Sequence, residues 1–200
     1  MDISVAIFIA ELLGLIFGLL AVILLIVRNI WTWPVGIVHI CFSLYLFAVQ
    51  YLYASLLLYL CYLVIHVHGW HHWWRGNAQG DEELLVTTVT GVTLRVLIGL
   101  GVLLAAAVGY LLDNWTNAEL AYLDGGIYVF SLIAIWLTAR KKIECWWFWL
   151  GIDIVAAALY GYRELYLYGL LYAVYIIMAV LGLLAWRHAL LTRKLACSSP

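Results

Sequence analysis

Residues 4–27 read SVAIFIAELLGLIFGLLAVILLIV, an apolar run broken by one carboxylate, Glu11. At 1.5 Å of rise per residue, a helix of this length crosses the roughly 30 Å hydrocarbon core of a bilayer. No basic segment leads it, and it outlasts a secretory hydrophobic region. It therefore reads as a permanent span rather than a cleaved signal. Six further apolar runs follow, at 33–49, 52–70, 92–112, 120–138, 146–162 and 165–186. Charged or turn-forming residues separate them: Arg28-Asn29, Gln50, a polar loop over 71–83, Asp113-Asn114, Arg140-Lys141-Lys142 and Arg163-Glu164. Seven spans nearly fill the 200 residues, so no second domain is expected.

Composition agrees. Hydrophobic residues make up 68% of the chain and charged ones 10%, against roughly a quarter charged in soluble domains. So few charges cannot wet a whole surface, which makes lipid the solvent for much of it. The net charge of -1 leaves no basic face for nucleic acid. Cys41, Cys61, Cys145 and Cys197 show no paired spacing and read as reduced thiols, without a disulfide or metal framework.

Alternating spans put Arg28, Arg75, Arg95, Arg140, Lys141, Lys142, Arg187, Arg193 and Lys194 on one side and Arg163 on the other. The Lys/Arg bias of cytoplasmic loops then predicts an N-terminus outside and a C-terminus in the cytoplasm. The chain also matches itself. Trp31 meets Trp146 and Tyr45 meets Tyr160 at a shift of 115 residues. After a two-residue slip, Tyr59 meets Tyr172, Tyr62 meets Tyr175 and Gly69 meets Gly182. Each half closes on a glycine and a tryptophan, Trp70 or Trp186. The fold expected is an all-α membrane protein of seven transmembrane helices, two parallel three-helix repeats joined by a linker helix (3+1+3). The boundaries are 1–75 for the first repeat, 76–115 for loop and linker, 116–188 for the second repeat and 189–200 for a cytoplasmic tail. Parallel repeats of this kind build transporters with a midplane site.

Polar residues within spans are the candidates for chemistry, since a central Asp costs roughly 2.5–3.5 kcal/mol on insertion scales. Asp153 lies mid-run with no Lys or Arg near it in sequence. It is read as a substrate or cation contact, against an Asp that only holds the bundle through His39 or a tyrosine. Asp124 is either a contact or a helix cap before Gly125-Gly126. Glu11 is a weaker candidate whose alternative is a shallow position in the first span, and Gln50 and Ser131 are weaker candidates that serve equally as interhelical hydrogen-bonding groups. His66, His68, His71 and His72 crowd one stretch, HVHGWHH, and read as an interfacial cap. A metal or haem centre would need ligands from further segments. His39, one helix away, reads equally as an interior polar contact or as a satisfied packing residue. Aromatic residues reach 16%. Membrane-interface belts account for Trp31, Trp73, Trp74, Trp115 and Trp147. Tyr45, Trp136, Trp149, Tyr160 and Tyr172 fall inside spans, where aromatic walls suit a flat heterocycle. A cationic ring would gain about 0.5–2 kcal/mol more from each aromatic face.

Asn29-Ile-Trp31-Thr-Trp33-Pro34-Val-Gly36-Ile resembles the N-W-x-W/Y-P-x-G-I segment of PnuC-type vitamin transporters. Gly69-Trp70-His-His-Trp73 resembles the G-W-x-x-W end of their third helix. Asp124, then Ser131-Leu-Ile-Ala, then Leu137-Thr-Ala-Arg140-Lys141-Lys142-Ile-Glu144-Cys-Trp146-Trp-Phe-Trp149 is similar to their D…S-L-I-A…L-x-x-R-K-K-x-E-x-W-x-x-W stretch. Tyr128 stands where a Thr is usual, and His71-His72 replace a more aromatic pair. The resemblance implies a 3+1+3 fold like full-length SWEET transporters in a bacterial inner membrane. It also implies facilitated diffusion of a heterocyclic B vitamin, trapping by a cytoplasmic vitamin kinase, homotrimers, and no metal or prosthetic group; the parallel repeat adds alternating access as the expected mechanism. Nicotinamide riboside ranks first as substrate; thiamine and riboflavin are the alternatives within the family. A membrane enzyme with a histidine metal or haem site, and a non-transporting receptor, are the alternatives outside it. The candidate substrate-binding set is Trp33, His39, Tyr45, Gln50, Asp124, Trp136, Trp149, Asp153, Tyr160 and Tyr172.

Overall fold

In hydrocarbon a backbone N–H or C=O has no water to bond, so an apolar run must satisfy its own backbone, and it does so as a helix. The computed structural model, which describes residues 3–78, 85–116 and 119–198, has a helix at each of the seven runs. They are α1 (Ile3–Ile26), α2 (Thr32–Val49), α3 (Tyr53–Ala78), α4 (Gly91–Trp115), α5 (Ala121–Ala139), α6 (Cys145–Tyr162) and α7 (Tyr166–Ser198). All seven contain a stretch long and apolar enough to cross a membrane. The chain forms two compact units, Met1–Leu85 and Val86–Pro200.

The first unit packs α1 on α2 and α2 on α3; the second packs α4 on α5, α5 on α6 and α6 on α7. Between tightly connected helices the chain turns through residues in the left-handed region, none of them glycine: Arg28, Tyr51, Lys141 and Glu164. Each turn carries the same pair of bonds. Arg28 N–H donates to Leu25 O and Asn29 N–H to Leu24 O, and the pattern recurs after α2, α5 and α6. These bonds satisfy carbonyls that a helix end otherwise leaves orphaned. Arg28 and Lys141 are 113 residues apart, as are Tyr51 and Glu164.

The same interval runs through the packing. Trp33 lies where a Cβ on Gly69 would be, and Trp146 lies where a Cβ on Gly182 would be. Trp33 meets Trp73 edge-on at 5.4 Å, and Trp146 meets Trp186 edge-on at 5.5 Å. Between lipid-bathed helices no hydrophobic effect separates contact from exposure, so close packing over small residues holds them together. The two halves therefore match at a uniform 113, not at 115 with a slip. Trp33, not Trp31, is the counterpart of Trp146. Tyr160 corresponds to Phe47 rather than Tyr45, and Trp186 to Trp73 rather than Trp70. The physical reason is the glycine: only a tryptophan whose ring can lie over it fixes the register.

That contact also corrects the polar loop expected over 71–83. Helix α3 continues to Ala78, because stopping at Trp70 would leave Trp33 without Trp73. Residues 79–84 lie outside the described residues. The helix α7 likewise carries on past Trp186 to Ser198, through most of the segment expected as a tail.

The second unit contains α4 as well. Gly101, Ala105 and Gly109 recur every fourth residue on its buried face. A Cβ on Gly125 would stand 2.7 Å from Gly109 N, so here the backbones of α4 and α5 touch. The chain ahead of α4 is strapped to the α5–α6 turn. Thr87 N–H donates to Lys141 O (3.0 Å), and Ile143 N–H to Thr87 O (3.0 Å). Val89 N–H donates to Glu144 Oε1 (2.9 Å), and Lys142 Nζ to Thr88 O (3.3 Å). The Arg-Lys-Lys-x-Glu stretch thus anchors the start of α4.

Candidate functional site

In the first unit the tightest polar arrangement is an imidazole and tyrosine column along α2 and α3. His39 sits in mid-α2, where its Nδ1 bonds with Gly14 O of α1 (2.7 Å). Its ring lies 6.0 Å from Tyr59, which lies 5.3 Å from Tyr62. His66 closes the column. Its Nδ1 bonds with Tyr62 O at 2.9 Å, and its ring faces Trp33 edge-on at 5.3 Å. Gly36 leaves room for it, since a Cβ there would come within 2.8 Å of the imidazole. Trp33, only 1% exposed, is a packing residue of this column. Tyr45 is 45% exposed, and Gln50 caps α2 in an exposed position. Neither joins the column.

The histidine-rich stretch does not converge on one point. His66 turns inward on Trp33, while His68 and His71 are exposed. His68 and His72 stack 6.2 Å apart on one face of α3. Among the described residues, no three His, Cys, Asp or Glu side chains gather as a metal site would require.

In the second unit α6 carries the polar load. Asp153 is 7% exposed. Among the described residues its carboxylate has neither a hydrogen-bond partner nor an ion-pair partner, so nothing in its own unit explains its burial. Trp149 stands four residues earlier, on the same helical face. Its indole N–H donates to Thr138 Oγ1 at 3.2 Å. One end of the unit holds a tyrosine stack: Tyr160 lies 5.3 Å from Tyr168 and 5.3 Å from Tyr172, with interplanar angles of 24° and 15°. There Asp124, in the first turn of α5, accepts from Arg163 at 3.2 Å, the C-cap of α6. Asp124 is thus paired within its unit. The Trp136 face is covered by the chain's own Arg140, whose guanidinium carbon lies 4.4 Å from the ring centroid.

Of the candidates, the fold brings Tyr160 and Tyr172 into contact and sets Trp149 and Asp153 on one face. Trp33 and His39 belong to the column of the first unit. Two participants escaped the sequence reading. Arg163 is the lone basic residue on its side of the Lys/Arg split, and that isolation was a usable signal. Thr138 had none, because a single hydroxyl near a helix end is ordinary. Chemically, a buried carboxylate without a partner, one turn from an indole edge, suits a cationic or hydrogen-bond-donating ring.

Residues 8–188 match the family model described as "Nicotinamide mononucleotide transporter". The chain is 24% identical over 201 residues to the nicotinamide riboside transporter PnuC of Escherichia coli, covering 88% of this chain and 84% of that protein. It is 26% identical over 181 residues to the riboflavin/roseoflavin transporter RibM of Streptomyces davaonensis, with the same coverage. Its fold is similar to the crystal structure of the vitamin B3 transporter PnuC, with a TM-score of 0.71, 21% identity, and coverage of 88% of this chain and 80% of that one.

Proposed function

The chain belongs to the nicotinamide mononucleotide transporter family, and on that premise we propose that it carries a cationic vitamin ring, nicotinamide riboside first, across the membrane. Membership in a transporter family sets aside the membrane-enzyme reading of the histidines. The observation that supports the substrate class is Asp153. A carboxylate buried in a span without a described partner would gain from a cation brought beside it, and a pyridinium ring is such a cation. Trp149 would line the same site, with Tyr160 and Tyr172 further along α6 and α7.

The mechanism proposed is facilitated diffusion by alternating access, built on two three-helix repeats with α4 as the linker. The 113-residue correspondence supports such a repeat. No Walker motif is present for ATP to drive the step. The nine-to-one Lys/Arg split supports an N-terminus outside, in a bacterial inner membrane. A cytoplasmic kinase would trap the product, and homotrimers are the expected assembly. Purified protein in proteoliposomes should accumulate labelled nicotinamide riboside to equilibrium and exchange it in counterflow. Uptake of riboflavin alone would move the assignment to the neutral substrate named for the Streptomyces relative. Failure with nicotinamide riboside, thiamine and riboflavin would end the vitamin reading. A reporter fused after Pro200 that is active only in the periplasm would reverse the topology.

A further inference from the structure

Thr138 is 1% exposed, and its hydroxyl both donates and accepts. It donates to Ala134 O at 2.8 Å. It accepts the Trp149 indole N–H at 3.2 Å. A hydroxyl has one proton to give and two lone pairs to fill. Once its proton goes to Ala134, its oxygen can serve only as an acceptor, so the indole edge of Trp149 is held in one orientation.

The first unit shows what the fold needs without this arrangement. At the 113-residue interval, Ala134 corresponds to Ala21, Thr138 to Leu25, Cys145 to Thr32 and Trp149 to Gly36. There, too, a threonine hydroxyl serves the alanine carbonyl, Thr32 Oγ1 donating to Ala21 O at 2.8 Å. That hydroxyl comes from the start of α2. In the second unit the equivalent place is Cys145, and the hydroxyl has moved to the end of α5, within reach of position 149. Hydroxyl and indole occur together in one unit, and both are missing from the matching positions of the other. The turn and the Trp–Gly contact form equally well without them.

We propose that Thr138 is a positioning residue for vitamin recognition: it fixes the ring plane of Trp149, and through it the affinity for a flat heterocycle. This rests on the reading that Trp149 lines the vitamin site. Losing the hydroxyl would free the indole to rotate and would weaken binding without removing any atom that touches the vitamin.

The test uses the full chain in proteoliposomes with nicotinamide riboside, thiamine and riboflavin as probes. Thr138→Val keeps the side-chain shape and should raise the half-saturation concentration of the transported probe about tenfold, the effect of one hydrogen bond, with the maximal rate retained. Thr138→Ser should restore it. Trp149→Phe should raise it comparably, and adding Thr138→Val to Trp149→Phe should change nothing more. Labelled-indole NMR, with Trp149 assigned from the Phe variant, should show its N–H resonance moving upfield in Thr138→Val. An unmoved resonance overturns the proposal, as does an equal effect of Thr138→Val in the Trp149→Phe background. If the resonance moves while Trp149→Phe leaves half-saturation unchanged, Trp149 does not touch the vitamin. That result overturns the site reading and the proposal with it, whereas failure of the hydroxyl alone leaves the site reading standing.

Discussion

Helices α1–α3 and α5–α7 are built on one frame and furnished differently. Both units turn through left-handed residues at matching places, Arg28 and Tyr51 in one, Lys141 and Glu164 in the other. Both seat a tryptophan over a glycine and brace it with a second tryptophan. The interiors then diverge. Where the first unit has His39 and Ile40, the second has Ile152 and Asp153; where the first has Gly36 and His66, the second has Trp149 and Ala179. The imidazoles of the first unit satisfy themselves on backbone carbonyls. The carboxylate of the second has no described partner. Positions that agree hold the fold, and positions that differ are where recognition can reside.

The strongest way to break this comparison is at the shared glycines. Gly69→Ala and Gly182→Ala each push a Cβ into a tryptophan ring and should each cost about 3 kcal/mol of stability by overpacking. Thermal unfolding in detergent should show large, similar drops. A drop in only one unit would mean the two contacts are not equivalent.

Next in size is the unshared carboxylate. Asp153→Asn nearly preserves shape and should weaken apparent affinity for a cationic vitamin by roughly ten- to a hundredfold, as expected for losing a charge-assisted bond. Ile40→Val, the matching position, should leave affinity alone. A well-folded Asp153→Asn protein with unchanged affinity would make Asp153 a structural residue.

A smaller effect is expected at the Asp124–Arg163 pair, whose counterparts are Glu11 and Gln50. The pair is part-exposed, so a double-mutant cycle of Asp124→Asn and Arg163→Gln should give a coupling of about 1 kcal/mol or less. The cycle of Glu11→Gln and Gln50→Ala should give none. Should Asp124→Asn shift vitamin affinity and leave stability untouched, Asp124 would belong to the site and not to the frame.

The smallest effect sharpens the frame itself. A non-glycine residue in the left-handed region costs about 1–2 kcal/mol, and glycine returns about 0.5–1 of that as chain entropy. Tyr51→Gly and Glu164→Gly should each stabilise by about 0.5 kcal/mol, read as small matching rises in melting temperature. Opposite signs in the two units would show that the turns only look alike.

The sequence by itself determined the seven spans, because hydrocarbon leaves a long apolar run no alternative to helix. It also placed the breaks: the charges at Arg28, Arg140-Lys141-Lys142 and Arg163-Glu164 mark three of the four left-handed turns, and Gln50 adjoins the fourth. It picked out Asp153 and Trp149, since a charge and an indole in mid-span stand out against Leu and Val. Tertiary structure decided the register of the repeat, which depends on which tryptophan ring covers which glycine and cannot be read from scattered aromatic matches. It also decided which polar residues are already occupied. Asp124 is paired with a residue 39 positions away, His39 with a carbonyl of another helix, and Trp149 with a hydroxyl on α5. A hydrogen bond is fixed by distances of about 3 Å between atoms, and only the packed helices set those distances.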